Sequence, residues 1–181
     1  MNQNKIAIRP SELADTEGLF AMVKESIEST YPVQGWCHSG YTLEDVKGWI
    51  EHGKVTRDKG REHHFIIHNL DSNRLIGTTS IIRVDQANRL AQTGYFIRES
   101  ERGKGFAGKA CLLTVEYAFQ ELKLHRLELL VATHNTSSIR VAEKIGAERE
   151  GLLKQRIYWD NGIFHDAYLY ALINSGQRHG S

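Results

Sequence analysis

The chain has 181 residues, 40% of them hydrophobic, with 23 Lys and Arg against 22 Asp and Glu, a formal net charge of +1. That length suffices for one domain with a sizeable core, and the even charge balance argues against nucleic acid as the main partner. No apolar run approaches the roughly 18 residues of a membrane span, and the first five residues lack the apolar core of a signal peptide.

Ile6, Ala7 and Ile8, ended by Pro10, read as a first strand. Asp15 is placed to cap a helix running to about Ser29, with Leu19, Met22, Val23 and Ile27 on one face. Residues 30–40 hold Pro32, Gly35 and Gly40 and read as a loop. Tyr31, Trp36 and Tyr41 make this region rich in aromatics. Thr42 and Asp45 form a capping-box pattern ahead of a second helix carrying Val46, Trp49 and Ile50. His63 to His68 and Leu75 to Val84 read as strands joined by a polar turn. Arg89 to Arg98 is the next strand, and Gly94 within it marks an expected bulge.

Phe106, Ala110, Leu113 and Tyr117 recur at helical spacing, with the small residues Ala107, Cys111 and Ala118 as a second stripe. Cys111 therefore reads as a buried thiol, and with Cys37 as the one other cysteine the protein reads as reduced and cytoplasmic. Leu127 to Ala132 has the near-continuous apolar character of a buried strand following a crossover helix. Residues 135–146 form a short helix stopped by Gly146. Two strands then flank Asp160-Asn161-Gly162, a hairpin-turn signal. Residues 1–175 are taken as one domain and residues 176–181 as a disordered tail.

Between the strand ending near Arg98 and the helix starting near Phe106 lie Gly103, Gly105 and, just inside the helix, Gly108. Glycines there free backbone N–H groups at a helix N-terminus, which favours a phosphate-bearing ligand. Three phosphate-binding patterns fit. The dinucleotide fingerprint G-x-G-x-x-G is satisfied, but no acidic residue ends the next strand. The nucleoside-triphosphate loop is nearly satisfied, but Ala110 stands where the magnesium-binding hydroxyl belongs. Arg102, Gly105 and Ala107 satisfy R/Q-x-x-G-x-G/A, the pyrophosphate loop of acyl-CoA-dependent N-acetyltransferases.

Downstream motifs favour the third pattern. The segment from Asn135 to Gly151, with Asn135, Ser138, Glu143-Lys144, Gly146 and Glu150-Gly151, resembles the GCN5-related N-acetyltransferase superfamily, in the branch that acetylates ribosomal-protein N-termini. Tyr158, Gly162 and Asp166 are similar to that branch's hairpin, and the resemblance spans about the whole chain. It implies an α/β fold with a central mixed, mostly antiparallel sheet, splayed at the cofactor site, and helices on both faces. It implies acetyl-CoA as cosubstrate and no metal. It further implies that the backbone of Phe96 and Ile97 pairs with the pantetheine arm and that Arg102, Gly103, Lys104, Gly105, Phe106, Ala107 and Gly108 hold the pyrophosphate. Asn135 would then bond the pantetheine, and Ser138 would donate to the departing thiolate. Tyr31, Trp36 and Tyr41 would line the acceptor groove, or else form an interface in a homodimer.

One departure from the family bears on the acceptor. Many members carry Glu two residues before the glycine of the pre-loop strand, and some carry a carboxylate just before the hairpin Tyr. Here those positions are Gln92 and Ile157, and Gln takes no proton at neutral pH. An α-amine, with a pKa of about 7.7–8.0, needs a base less than lysine at about 10.4. The missing carboxylate thus favours an α-amine, and the resemblance implies the N-terminus of a ribosomal protein, with serine or alanine exposed, ahead of a small amine, a polyamine or an antibiotic. A CoA-binding module without catalysis is the reading from a different class. His63, His64 and His68 lack metal-ligand spacing, and His134, beside Asn135, reads as a loop residue or a proton shuttle.

Overall fold

A computed structural model of the protein describes residues 5–30, 36–159 and 162–176. Tyr31, the hairpin residues 160 and 161 and the tail from 177 lie outside them. Seven strands form one sheet: β1 (Ile6–Pro10), β2 (His63–Asn69), β3 (Arg74–Asp85), β4 (Leu90–Ile97), β5 (Arg126–Ala132), β6 (Glu148–Tyr158) and β7 (Phe164–Ile173). Their spatial order is β1-β2-β3-β4-β5-β7-β6. Every neighbouring pair is antiparallel except β4 and β5, which are parallel.

Four helices cover the two faces. On α1 (Thr16–Thr30) and α2 (Leu43–Asp58), Leu19, Met22, Val23, Val46 and Ile50 recur at three- and four-residue intervals. They bury themselves against Ile66 and Phe96 on one face. The opposite face takes α3 (Phe106–Gln120), whose Phe106 and Ala110 pack on Ile67, Ile76 and Ile97, while Ala118 packs with Phe65, Ile81 and Leu127. The short α4 (Thr136–Lys144) closes the same face over β5 and β7 through Ala142, Leu129, Val131 and Tyr170. Both cysteines are free and buried, and burial pushes the Cys111 thiol up to about 12.

The parallel pair opens into a split. β4 and β5 are in register only where Leu90, Ala91 and Gln92 face Arg126, Leu127 and Glu128. Beyond that point β4 stays with β3 as far as Ile97, and β5 stays with β7 as far as Ala132. The facing edges of residues 93–97 and 129–132 are thus left without a strand partner. This is the expected splay.

Two local expectations are corrected. Asp15 does not cap α1: it ends a short 3-10 turn, Leu13–Asp15, and its carboxylate accepts from the two terminal Arg9 guanidinium nitrogens at 2.8 and 2.5 Å and from the Glu12 N–H at 2.9 Å. The arginine at the end of β1 outcompetes the helix for that carboxylate. Nor does Gly94 mark a bulge. It pairs regularly with Ser80, held by Thr79 Oγ1 donating to the Gly94 carbonyl and Thr93 Oγ1 donating to the Ser80 carbonyl. The irregularity in this pair falls between Ile82 and Asp85, where Arg83 takes a φ of 53°.

Candidate active site

The loop after β4 is fastened to α1. The Arg98 guanidinium is buried, binds the Glu25 carboxylate and donates to the Leu75 carbonyl at 3.0 Å. Glu25 also accepts from Ser100 N at 2.9 Å, and Ser26 Oγ accepts from Glu99 N at 3.1 Å. Arg102 completes the clamp by donating to Ile97 O, Ser29 Oγ and Thr30 Oγ1 at 3.1, 2.8 and 2.7 Å. The Arg98 partner holds the Glu25 carboxyl at about 2, against burial that opposes the shift.

From this anchor the chain turns through Gly103 and Gly105, at φ of 76° and 82°, into α3. Gly105 is the N-cap and offers no side chain to the first-turn N–H groups. A Cβ added at either glycine would meet nothing within 4 Å, so the cradle is open on its outer side. Gly77 plays a different part: a Cβ there would lie 2.3 Å from the Phe96 carbonyl oxygen. Only glycine at 77 lets the end of β4 lie this close to β3.

These elements wall a groove of about 460 Å³. Among its lining residues are Phe96, Ile97, Arg102, Gly103, Gly105, Phe106, Ala107 and Gly108 on one side and Asn135 and Ser138 on the other. The structure thus brings together every residue expected at the cofactor except Lys104. Lys104 does not line the groove and pairs with Glu101 at 3.0 Å. Arg102 lines it as a strut, its guanidinium spent on neutral acceptors that leave its charge in place.

The groove is also lined by residues that the sequence does not mark as site residues, among them Tyr95, Ser137, Arg140 and Lys144. Ser137, Arg140, Val141 and Lys144 recur at three- and four-residue spacing on α4, so the helical period was a signal for them. With Arg102, Arg140 and Lys144 against Glu101, itself paired to Lys104 and Arg74, the groove carries excess positive charge.

Asn135 caps α4, its Oδ1 accepting from Ser138 N at 3.0 Å, which leaves its amide NH2 outside the cap. Ser138 Oγ accepts from Tyr95 O–H at 3.1 Å across the split. A second cavity, of about 340 Å³, lies on the α1/α2 face and is lined by Leu19, Met22, Trp36, Tyr41, Asp45 and Trp49 among others. Trp36 packs edge-on against Tyr41 at 6.0 Å and against Phe96 at 5.2 Å, so a lining residue of this cavity touches a lining residue of the groove.

Gln92 faces Glu128 at the vertex of the split. Glutamate at 92 would set two carboxylates side by side on adjacent strands. Ile157 faces His165 across the hairpin, where Asp166 holds a β6 irregularity by accepting from Gln155 N at 2.8 Å. His134 packs on Trp159 and His165, with centroids 5.1 and 5.0 Å away. Among the described residues no group of three or more His, Cys, Asp or Glu could hold a metal ion.

Residues 5–148 match the acetyltransferase (GNAT) domain family. The chain belongs to the GNAT acetyltransferases. It is 35% identical over 173 residues to the probable N-acetyltransferase YjcK of Bacillus subtilis, covering 93% of this chain and 94% of that protein. It is 30% identical over 142 residues to the ribosomal-protein-serine acetyltransferase of Escherichia coli, covering 78% of each. Among solved structures, the ribosomal α-N-protein acetyltransferase RimL in complex with coenzyme A matches with a TM-score of 0.88 over 97% of both chains, at 19% identity. At that identity the likeness is one of fold.

GNAT acetyltransferases draw their acetyl group from acetyl-CoA, and the groove has the parts that cosubstrate needs. The open glycine turn and uncapped N–H groups suit a pyrophosphate, Arg140 and Lys144 suit its remaining charge, and the free strand edge suits an amide-bearing arm.

Proposed function

We propose that this GNAT enzyme acetylates the N-terminal α-amine of a ribosomal protein, with serine or alanine exposed. The observation that carries this reading is the Trp36–Phe96 contact, which brings a wall of the aromatic cavity against a wall of the glycine-cradled groove. A cosubstrate held in the first presents its thioester where an amine held in the second can attack. Bound acetyl-CoA supplies the activated acetyl group.

The chain's own residues divide the remaining work. N–H groups from Gly103 to Gly108 hold the pyrophosphate, with Arg102, Arg140 and Lys144 adding charge, and Lys104 at the margin. The backbone of Phe96 and Ile97 orients the pantetheine arm, which the Asn135 amide steadies from across the split. The Ser138 hydroxyl faces the sulfur. Trp36 and Tyr41 take the first residue of the acceptor.

Support for an α-amine comes from position 92. No carboxylate stands there, and an amine with a pKa of about 7.7–8.0 is already substantially neutral near pH 7.5. The E. coli relative is named a ribosomal-protein-serine acetyltransferase. The working unit is one domain over residues 1–175, acting in the cytoplasm without a metal. Mass spectrometry of peptides incubated with the enzyme and acetyl-CoA tests the reading: the acetyl mark belongs on the α-nitrogen. A mark confined to lysine side chains defeats it.

A further inference from the structure

The Tyr95 hydroxyl reaches across the mouth of the split between β4 and β5 to Ser138 Oγ on the first turn of α4, and both residues line the groove. A phenol is the stronger donor of the two hydroxyls, so Tyr95 donates and Ser138 accepts. A serine hydroxyl has one hydrogen and two lone pairs. With one lone pair taken by Tyr95, the serine's own hydrogen is directed away from the phenol. The Ser138 N–H is fixed separately by Asn135 Oδ1. Residue 138 is therefore held at its backbone and at its hydroxyl, by partners on opposite sides of the split.

Tyr95 packs against both the cluster under α4 and the cluster under the start of α3, which fixes the phenol itself. Burial pushes its pKa up to about 12, so it remains a neutral donor throughout the physiological range.

We infer that Tyr95 is a positioning residue: it turns the Ser138 hydroxyl hydrogen toward the sulfur of bound CoA, so that this hydrogen bond stabilises the departing thiolate. The inference rests on the groove being the CoA site. In the step concerned, the amine nitrogen bonds the carbonyl carbon, the C–S bond breaks, and the electron pair stays on sulfur. The amine's proton passes to solvent. Tyr95 gives up no proton; it sets the direction of the one on Ser138.

The test needs no acceptor. The thiol of bound CoA is titrated by its thiolate ultraviolet absorbance in the wild type, Tyr95→Phe, Ser138→Ala and the double variant. A hydrogen bond to the thiolate favours the charged form, so removing it raises the thiol pKa. Tyr95→Phe is expected to raise it by about one pH unit, the size of one hydrogen bond to a charged group. Ser138→Ala is expected to do the same, and the double variant to shift no further than Ser138→Ala alone.

An unchanged titration in Tyr95→Phe, or a Tyr95→Phe shift that adds fully to that of Ser138→Ala, overturns the inference while leaving the CoA site standing. Failure of the wild type to bind CoA overturns both. Where an acceptor is in hand, kcat should follow the same pattern, with a loss of about tenfold in each single variant and no further loss in the double.

Discussion

Trp36 meets Phe96 edge-on, with ring centroids 5.2 Å apart and planes at 72°. This contact places a loop aromatic directly on the strand end that borders the glycine-rich groove. It sets a wall residue of the aromatic cavity against a wall residue of the groove. Removing the indole by Trp36→Ala deletes a favourable ring pair and one wall of the acceptor side. The acceptor KM should rise about tenfold while the acetyl-CoA KM stays within about twofold. Steady-state kinetics with each substrate varied in turn separate the two.

Gly105 caps α3 at a φ of 82°, where an L side chain is strained by about 1–2 kcal/mol. Gly105→Ala also places a methyl in the open cradle. The dissociation constant for acetyl-CoA, measured by calorimetry, should rise about tenfold or more, with the melting temperature lower by a few degrees.

The Glu25–Arg98 pair ties α1 to the loop that leads into the cradle. Its carboxyl sits at about 2 in the folded protein, below its ordinary value of 4.5. A depressed carboxyl contributes stability that is fully present above the unfolded pKa and is lost as pH falls from about 4.5 toward 2. Glu25→Gln leaves the buried Arg98 charge without its counter-ion and should destabilise the protein by about 3 kcal/mol at pH 7. Urea unfolding of both proteins across this range should show the gap closing as the pH approaches 2.

Gln92 pairs with Glu128 in the last register position before β4 and β5 part. Gln92→Glu sets like charges on neighbouring strands and raises the new carboxyl's pKa in the folded state. The variant should be about 1 kcal/mol less stable than wild type at pH 7. The deficit should vanish as pH falls below the ordinary carboxyl pKa, where the new group is protonated in both states. Denaturant midpoints at pH 7 and pH 4 report both effects.

Much of this architecture is legible in the residue pattern, because it is local. The apolar periods of α1, α2 and α3 each lie within one short stretch of chain, as do the glycine turn and Asn135 with Ser138. What escaped the reading joins distant parts of the chain. Nothing near Arg98 announces that Glu25 will hold it, and nothing near Tyr95 announces Ser138. Asp15 shows the same limit in reverse: its sequence neighbours suggest a helix cap, but Arg9, brought close by the end of β1, takes the carboxylate. Lys104 lies beside the glycines in sequence, and its ammonium pairs with Glu101 three residues earlier. Gly94 suggested a bulge by residue type alone, whereas the hydroxyls of Thr79 and Thr93 keep its strand in register.

The central claim is tested most directly by measuring CoA release from acetyl-CoA at pH 7.5. The acceptors are peptides beginning with serine or alanine, the same peptides with blocked N-termini, and a panel of small amines and polyamines. Turnover of the free peptides above the small amines, abolished by the block, is the predicted result. Turnover confined to lysine or polyamine acceptors, or no turnover by an enzyme that binds acetyl-CoA, would contradict it.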